Sequence, residues 1–517
     1  MIAIAVFTAL SLQTPGIERY QWVVLHGQDT LAVERVTREP AALRAEVLVP
    51  LRARLTVVAA TDGHGCVTGT DVKVFPWGSA ADATPLQHVE VRLDGDSVRV
   101  AAQARDVSRN VALPASGARF VLAGDSYAAS ALIVECALSS GKDSVDVPVV
   151  AFPNLHMATL GVRRHGRTAI VAGNDTSRVS LDDRGRPARV EIGREGTVLV
   201  RAPLDPTTGT VSTPPDYSAP RGALYTAENV TLPVEPGVSL AGTLTLPRDA
   251  HGPIPAVVTV SGSGPQDRDC YADIANGWRP FREIAEALAT RGIAVLRFDD
   301  RGVGGSTGDY ASGTERTVAQ DVRAAINYLH TRPEIDPARV AVLGHSEGAR
   351  VAMLVGAEDS TLAGLVLLSG AADPRAAVRA QALWVVEHNP NGSRVPRDSV
   401  IALVDRQMDS LAVTGQREVF RWDAVALAKR IHVPVAVFQG ATDRQVPADQ
   451  ADSLGAVFRR TGNRDVTVRV FPDVNHLLVH DPDGDFQRYD RLADANVATE
   501  VLNAVGDWLA RHLAGGR

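Results

Sequence analysis

The chain has 517 residues, well above the roughly 100–200 that are typical of one domain, so we expect at least two hydrophobic cores. Hydrophobic residues make up 45% and charged residues 22% of the chain, which is a globular composition. The net charge of −7 and the lack of a Lys/Arg block argue against a nucleic-acid partner. No apolar run reaches the roughly 18–20 residues of a membrane-spanning helix, so we expect no integral membrane span.

The N-terminal segment, residues 1–15, has features of a signal peptide. Ile2–Leu12 is apolar and ends near Ala9 and Ser11, a pair of small residues that resembles a cleavage site. No Lys or Arg precedes this run, and a buried first strand is the alternative. We therefore predict a periplasmic or secreted protein, with a cytoplasmic location as the alternative.

The cysteines do not indicate whether the protein lies in an oxidising or a reducing compartment. Cys66 and Cys136 could pair with each other if the protein is exported. Together with Cys270 they make an odd number, which fits free thiols equally well.

Residues 16–201 are predicted to form a β-rich N-terminal domain, in which convincing helical periodicity is scarce. The clearest signal is alternation of apolar and polar residues around an Asp-Gly pair, which is typical of a hairpin. We expect a mainly antiparallel sheet, curved or sandwiched, followed by a Pro/Thr-rich linker over 202–222. Packing, substrate gating and contact with carbohydrate or lipid are all open as roles for this domain. Four of its segments read as strands: Tyr20–Val36, Arg54–Ala60, His88–Val100 and Val179–Ile192.

The second domain, predicted over 223–517, opens with a hairpin and then a buried strand. The hairpin strands are Asn229–Val234 and Val238–Pro247, and the buried strand is Ile254–Val260. A Gly/Ser-rich segment, Ser261–Pro265, follows that strand directly. Its small residues would let the backbone approach a ligand closely.

A G-x-S-x-G pentapeptide, Gly344–Gly348, is the most informative motif of the chain. It follows a β-branched run, Arg339–Leu343, and precedes a helical stretch, Ala349–Glu358, so Ser346 falls on a tight strand-to-helix turn. The turn would hold the Ser346 hydroxyl clear of the sheet, above the N-terminus of a helix. The alternative is a Gly-rich turn that carries a bystander serine.

A serine hydroxyl needs a base before it becomes a good nucleophile, and the sequence offers one downstream. Asp443 follows the predicted strand Val433–Phe438, and His476 follows the predicted strand Val466–Phe471. Both would emerge at the sheet edge that carries Ser346, in the order Ser, Asp, His. We predict Ser346 as nucleophile, His476 as general base and acid, and Asp443 as the group that orients the imidazole.

Three nearby residues are weaker candidates. His480 lies within an apolar run and is predicted to be packed or partly exposed. Asp473 is expected to serve its local turn, and His345 is expected to support the turn that carries Ser346.

Two backbone N–H groups are predicted to bind the developing oxyanion of the substrate. One belongs to Glu347, the residue after the nucleophile. The other is assigned to Ser263, with Gly264 as the near alternative, because Pro265 has no N–H to donate.

From about Asn229 onward, the chain resembles α/β-hydrolases of the serine-aminopeptidase-like and dienelactone-hydrolase-like branch, and is similar to bacterial carboxylesterases that carry an extra N-terminal domain. The resemblance implies an α/β-hydrolase fold with a mostly parallel sheet, helices on both faces and a helical lid insertion. It also implies hydrolysis of a small ester or acyl substrate without cofactor or metal. The matching blocks are Ser261–Asp269, Arg297–Ser306, Gly344–Gly348, Gly440–Asp443 and Asn475-His476.

Two details of the resemblance need comment. Ser261 stands where the family's loop often has His, which removes a side chain that could brace the loop. In the Asp299-Asp300-Arg301 loop, Asp and Arg are expected to satisfy backbone groups and each other, a structural role.

The long segment 373–430 between the sixth and seventh core strands is predicted to be the lid, where Leu383 and Trp384 could face either the core or a substrate.

These patterns favour a carboxylesterase-type serine hydrolase that forms an acyl-enzyme. A peptidase or an acyltransferase with the same three residues is the alternative, and a non-catalytic binding protein is a third. A peptidase would need an anchor for the substrate amine, which Glu347 or the pair Asp267 and Asp269 could supply. No nucleotide-binding loop and no zinc-type ligand spacing is present, and the sequence does not indicate the oligomeric state.

Overall fold

The computed structural model divides into two compact units, Met1–Pro215 and Asp216–Arg517. The predicted signal segment lies outside the residues that the structure describes, and so do parts of the predicted linker and lid. The described residues are 17–26, 29–49, 53–76, 85, 87–104, 107–123, 126–152, 156–173, 176–192, 197–205, 216–250, 252–271, 277–308, 310, 313–388, 396–413 and 421–514.

In its described part, the first unit is built on one long sheet in the order β8-β7-β6-β5-β4-β3-β2-β1-β15-β14-β13-β12-β11-β10-β9. Neighbouring strands are antiparallel except β9 and β10, which are parallel. The strands are β1 (Glu18–His26), β2 (Asp29–Glu39), β3 (Ala42–Val49), β4 (Ala53–Thr61), β5 (Val67–Pro76), β6 (Gln87–Asp94), β7 (Ser97–Ala104), β8 (Val107–Pro114), β9 (Phe120–Ala123), β10 (Ser144–Phe152), β11 (His156–His165), β12 (Thr168–Ala172), β13 (Thr176–Leu181), β14 (Pro187–Ile192) and β15 (Thr197–Pro203).

A helix that the sequence did not reveal, α1 (Tyr127–Leu138), packs against this sheet. It contacts β2, β5, β9, β10 and β14, so it is covered on several sides and its sequence is apolar nearly all round. The usual 3.6-residue alternation of a surface helix is therefore missing. Its N-terminus is held by the buried Glu34 carboxylate, which accepts hydrogen bonds from the Ala128 N–H at 2.8 Å and from the Ser126 hydroxyl.

The second unit contains an eight-stranded sheet in the order β16-β17-β19-β18-β20-β21-β22-β23 within the described residues. The first two strands form an antiparallel hairpin, β17 is also antiparallel to β19, and the remaining neighbours are parallel. The strands are β16 (Tyr225–Glu235), β17 (Val238–Pro247), β18 (Ile254–Val260), β19 (Ala294–Phe298), β20 (Ile335–His345), β21 (Gly364–Leu368), β22 (Val435–Gly440) and β23 (Val466–Phe471).

Helices cover both faces of the second sheet. Successive strand residues such as Val257 and Val258 belong to different apolar clusters, because side chains alternate between the faces of a strand. One cluster joins the sheet to α3, α4 and α8, and the other joins it to α2 and α9. The helices are α2 (Pro280–Ala289), α3 (Glu315–His330), α4 (Glu347–Glu358), α5 (Pro374–His388), α6 (Arg397–Val413), α7 (Ala424–Ala428), α8 (Asp449–Arg460) and α9 (Thr499–Leu513).

This architecture confirms the predicted fold class: a mostly parallel α/β sheet preceded by a mainly antiparallel β region. The segment between β21 and β22 carries α5, α6 and α7, so the predicted insertion is helical where it is described. None of the described helices is both long and apolar enough to span a membrane.

Residues at both ends of the predicted linker, 202–222, are bound to one or the other unit. Residues 202 and 203 belong to β15. At the other end, Arg282 donates hydrogen bonds to the carbonyl oxygens of Asp216 and Ser218 at 2.5 and 3.1 Å, so this segment is bound to the second unit. Proline and threonine content alone could not reveal these contacts.

Cys66 and Cys136 form a disulfide that ties α1 to the start of β5, and Cys270 is a buried free thiol. We expect titration of the denatured, unreduced protein to find one thiol per chain, and three after reduction. Cys136→Ser should lower the free energy of unfolding of the first unit by about 2–4 kcal/mol, measured by chemical denaturation. Three reactive thiols before reduction would contradict the pairing.

Candidate functional site

Ser346 occupies a tight turn between β20 and α4. Its backbone has φ +55° and ψ −114°, a strained conformation for a residue with a side chain. The flanking glycines make the turn possible, because a Cβ on Gly344 would overlap the carbonyl of Gly348, and a Cβ on Gly348 would overlap the carbonyl of Val260. The turn thus presents a partly exposed Ser346 at the carboxyl end of β20.

Ser346, His476 and Asp443 are joined by hydrogen bonds in series. The Ser346 Oγ and His476 Nε2 lie 3.0 Å apart, and His476 Nδ1 lies 2.7 Å from Asp443 Oδ2. Because a carboxylate accepts, Nδ1 carries the proton and Nε2 of the neutral ring is left to accept one from the serine. The structure therefore brings together the three side chains that the sequence predicted, from the ends of β20, β22 and β23.

Asp443 is buried, with 1% of its surface exposed, and is saturated with donors. Its Oδ1 accepts from the backbone N–H groups of Gln445 and Val446 at 2.9 and 2.8 Å. Its Oδ2 accepts from the Gln439 side chain at 2.7 Å as well as from His476. Sequence analysis did not single out Gln439, although a polar residue at the end of the apolar strand β22 was the available signal.

The loop that carries His476 is fixed through its backbone. The buried Asn475 side chain accepts from the N–H groups of Leu477 and Val479 at 2.9 and 3.2 Å. The His476 carbonyl oxygen accepts from His345 Nε2 at 2.9 Å and from the Ser369 hydroxyl at 3.3 Å. The base is therefore held at its ring and at its main chain.

His345 does more than support its own turn, which is its predicted role, because it also binds the main chain of His476. Burial, together with the neighbouring His476, lowers the pKa of His345 to about 3, so its ring is neutral at ordinary pH. Its Nε2 must carry the proton that it donates to the His476 carbonyl. His345 also packs edge-on against Trp278, with ring centroids 5.6 Å apart.

The weaker candidates do not join the series. The exposed His480 pairs with Glu500 at 3.2 Å. Asp473 has φ +54° and accepts the N–H of Asp481 through its backbone carbonyl, which is a main-chain contact and not the local role predicted for its carboxylate.

The predicted oxyanion residues, Ser263 and Glu347, lie side by side. The Ser263 hydroxyl donates to Glu347 Oε2 at 2.6 Å, and a Cβ on Gly262 would lie 3.2 Å from the Cβ of Ser346. Glu347 is the first residue of α4, where backbone N–H groups have no partner inside the helix.

The Gly/Ser-rich loop is braced without a histidine at position 261. The Ser261 hydroxyl donates to Asp300 Oδ1 at 2.8 Å, and the Gln266 N–H donates to Asp300 Oδ2 at 2.9 Å. Burial raises the pKa of Asp300 to about 8. The expectation that Ser261 removes a brace is therefore wrong, because the serine reaches a different partner.

The Asp299-Asp300-Arg301 loop has the predicted structural role but different partners. Asp299 binds Arg268 through both carboxylate oxygens, at 2.8 to 3.0 Å, and does not pair with Arg301. Arg301 binds Asp321 at 2.9 Å and Glu235 at 2.6 Å. Asp299 and Arg301 thus bind residues of neighbouring segments and not each other.

Asp267 and Asp269 are buried and already paired. Asp267 accepts from the Tyr217 hydroxyl at 2.9 Å, and Asp269 forms an ion pair with Arg297. Asp269 Oδ2 accepts no hydrogen bond from the described residues, so it is burial that keeps the two carboxylates from a substrate amine of the kind a peptidase binds.

One group of described residues has the composition of a metal site, and it lies in the first unit. The ligand atoms of Asp71, His88 and Glu90 lie within 4.8 Å of one another. His88 Nε2 is hydrogen-bonded to Asp71 at 3.0 Å, and Glu90 pairs with Arg92 at 3.3 Å. These internal bonds account for the cluster without an ion.

The low pKa of His345 has a measurable consequence for stability. Below about pH 6.5 the unfolded chain takes up a proton on His345 that the folded chain does not, so the folded state loses stability as pH falls toward 3. His345→Gln keeps a side-chain donor but cannot titrate. Between pH 7 and pH 5 we expect the wild type to lose about 2 kcal/mol of unfolding free energy relative to this variant. The free energies are measured by urea unfolding followed by tryptophan fluorescence. If they depended on pH equally in the wild type and the variant, the low pKa of His345 would be contradicted.

Comparisons with known proteins show what this chain is similar to. The sequence model of the serine aminopeptidase family S33 matches residues 277–422. Esterase EstD of Thermotoga maritima is 28% identical over 338 residues, which cover 64% of this chain and 78% of that protein. A Bacillus subtilis protein named as the uncharacterized peptidase YuxL is 23% identical over 298 residues, 55% of this chain, and the match spans 39% of its own length.

Among solved structures, an esterase of Pyrococcus furiosus is similar, with 20% sequence identity and a TM-score of 0.40. The match covers 57% of this chain and 94% of that protein. The family match and the sequence relatives support a serine-hydrolase-like protein of the α/β-hydrolase superfamily.

Proposed function

We propose that this protein cleaves carboxylic ester bonds through a covalent acyl-enzyme on Ser346. The observation that carries the proposal is the continuous hydrogen-bond series from the Ser346 hydroxyl through His476 to the buried Asp443. A nucleophile next to a base, with the base oriented by a third group, is the arrangement that acyl transfer requires. The relative named Esterase EstD supports the ester bond as the target.

In the proposed reaction, His476 Nε2 removes the proton of Ser346 as the hydroxyl oxygen attacks the ester carbonyl carbon. The carbonyl electrons move to its oxygen, which is stabilised by the N–H groups of Ser263 and Glu347 and by the N-terminus of α4. Collapse of this intermediate expels the alcohol, which takes the proton from His476. Water then attacks the acyl-serine by the same route, and the acid is released.

Asp443 has an electrostatic and a geometric task in this cycle. It fixes the ring tautomer in which Nε2 faces Ser346, and it stabilises the imidazolium that forms in each half-reaction. Its four hydrogen bonds hold it in place, so the base does not need to find its orientation in every turnover.

A peptidase is the second candidate, and the relative named as a peptidase is the observation in its favour. Two of the three carboxylates proposed as amine anchors, Asp267 and Asp269, are buried in pairs. The third, Glu347, accepts the Ser263 hydroxyl. Only Glu347, which is partly exposed, could therefore reach a substrate amine, and the burial of the other two favours an ester over an amino-terminal peptide. An acyltransferase would use an alcohol in place of water, and product analysis separates the two.

We further propose that the helical insertion shapes the acyl-binding part of the site. The buried Ala377 of α5 belongs to one apolar cluster with Ala371 and Val446, and the Val446 N–H binds Asp443. Further along α5, Trp384 packs against Phe486 with ring centroids 5.1 Å apart and is only half-buried. An apolar surface beside the acid loop suits the acyl chain of a short or medium ester.

A periplasmic or secreted location remains our proposal for the protein. The Cys66–Cys136 disulfide supports it, because structural disulfides persist in oxidising compartments.

The nucleophile assignment has a direct test. We expect the purified protein to hydrolyse short p-nitrophenyl esters and to be labelled stoichiometrically at Ser346 by a fluorophosphonate, with the site read by peptide mass spectrometry. Ser346→Ala should abolish labelling and lower kcat by at least about 10³-fold, because the attacking oxygen is lost. Unchanged circular dichroism would show that the variant is folded. Labelling elsewhere would overturn the assignment, and an unlabelled, inactive wild type would favour a binding protein.

Matched variants of His476 and His480 distinguish the proposed base from the neighbouring histidine. His476→Ala should be about as damaging as loss of the serine, because these residues act as a unit. His480→Ala, four positions away and exposed, should retain wild-type kcat within about twofold. Asp443→Asn should fall between the two, because it no longer fixes the ring tautomer. An inactive His480→Ala with an active His476→Ala would reverse the assignment.

A further inference from the structure

The loop Ser261–Tyr271, called here the oxyanion loop, carries the proposed donor Ser263. On one side it is bound by Asp300, as described above. Inside the loop, the Gln266 side chain donates to the Ser263 carbonyl oxygen at 3.3 Å and accepts from the Cys270 thiol at 2.9 Å. The position of the Ser263 peptide therefore depends on how the residues after Gln266 are held.

Those residues are organised by the Asp267 carboxylate, which is 5% exposed. Its Oδ1 accepts from the N–H groups of Asp269 and Tyr271, both at 3.0 Å, and closes a local turn. Its Oδ2 accepts from the hydroxyl of Tyr217 at 2.9 Å. This tyrosine lies 50 residues earlier in the chain, at the start of the second unit.

Tyr217 contacts two consecutive residues of the oxyanion loop. Its hydroxyl binds Asp267, and the guanidinium of Arg268 lies 4.2 Å from the centre of its ring. Arg268 in turn binds Asp299 and the carbonyl of Gly242. Tyr217 thus completes the hydrogen bonding of Asp267 and covers the guanidinium of Arg268.

The segment that carries Tyr217 is itself held on both sides of that residue. Arg282 of α2 donates to the carbonyl oxygens of Asp216 and Ser218 at 2.5 and 3.1 Å. The tyrosine is therefore presented to the loop by a fixed backbone.

We propose that Tyr217 is a positioning residue for the reaction: it fixes the oxyanion loop from outside the site and so sets the place of the Ser263 N–H. The proposal rests on the proposed ester hydrolysis at Ser346. Removing the hydroxyl leaves a buried oxygen of Asp267 without its donor, which the loop can relieve by shifting. A shift of a fraction of an ångström at a transition-state donor lowers the rate several-fold while leaving ground-state binding nearly intact.

The test uses the full chain with Tyr217→Phe, which keeps the ring over Arg268 and deletes one hydroxyl. Tyr225→Phe is the matched control, because its hydroxyl also donates to a carboxylate, that of Glu286 at 2.7 Å, and neither residue belongs to the oxyanion loop. Steady-state kinetics on p-nitrophenyl acetate give kcat and KM separately. An alkyl trifluoromethyl ketone serves as a second probe. Ser346 Oγ adds to its carbonyl carbon, the serine proton passes to His476, and the carbonyl electrons become an oxyanion.

We expect Tyr217→Phe to lower kcat by about three- to tenfold with KM within about twofold, and to raise the inhibition constant of the ketone by a similar factor. Tyr225→Phe should match the wild type in both measurements within about twofold. Equal behaviour of the two variants, or a loss confined to KM, would overturn the proposal, since a purely structural hydroxyl would not weaken oxyanion binding selectively. A wild type that neither hydrolyses the ester nor binds the ketone would instead refute the proposed function, and the positioning role with it.

Discussion

The candidate site depends on the burial of one carboxylate. A carboxylate that is 1% exposed, as Asp443 is, must be compensated by hydrogen bonds, because leaving it unpaired would cost several kcal/mol. Two donors come from its own loop, one from Gln439 and one from His476. Since the imidazole N–H is required to complete the set, the other ring nitrogen is directed to Ser346. Satisfying the buried acid and orienting the base are therefore the same physical requirement.

Two residues at the end of β20 contact the ring and the main chain of His476. Ser346 lies at its ring, and the preceding residue, His345, donates to its carbonyl oxygen. Two residues that are adjacent in sequence point to different places because the backbone turns sharply between strand and helix, at a positive φ that the flanking glycines permit. The strained turn thus does more than expose a hydroxyl, since it lets one strand end position both Ser346 and the loop that carries His476.

The sequence predicted those elements that are determined by a few neighbouring residues. The G-x-S-x-G turn, the apolar strands β18 and β23 and the positions of Asp443 and His476 all follow from patterns within a few residues. Features that depend on contacts between distant segments were missed or misplaced. The helix α1 is apolar nearly all round because strands from distant parts of the chain cover it. Gln439 is recognisable only beside Asp443, and Ser261 binds Asp300 across 39 residues of sequence.

The same reasoning applies to the first described residues of the second unit. By composition, Tyr217 belongs to a Pro/Thr-rich linker, yet its hydroxyl and ring complete the environment of Asp267 and Arg268. A chain that began at residue 223 would leave one buried carboxylate oxygen without its donor and one guanidinium without its aromatic cover. Burial without partners is costly, and the cost would fall on the loop that carries Ser263. These contacts therefore bind residues 216–218 to the second unit, within the stretch that composition predicts to be a linker.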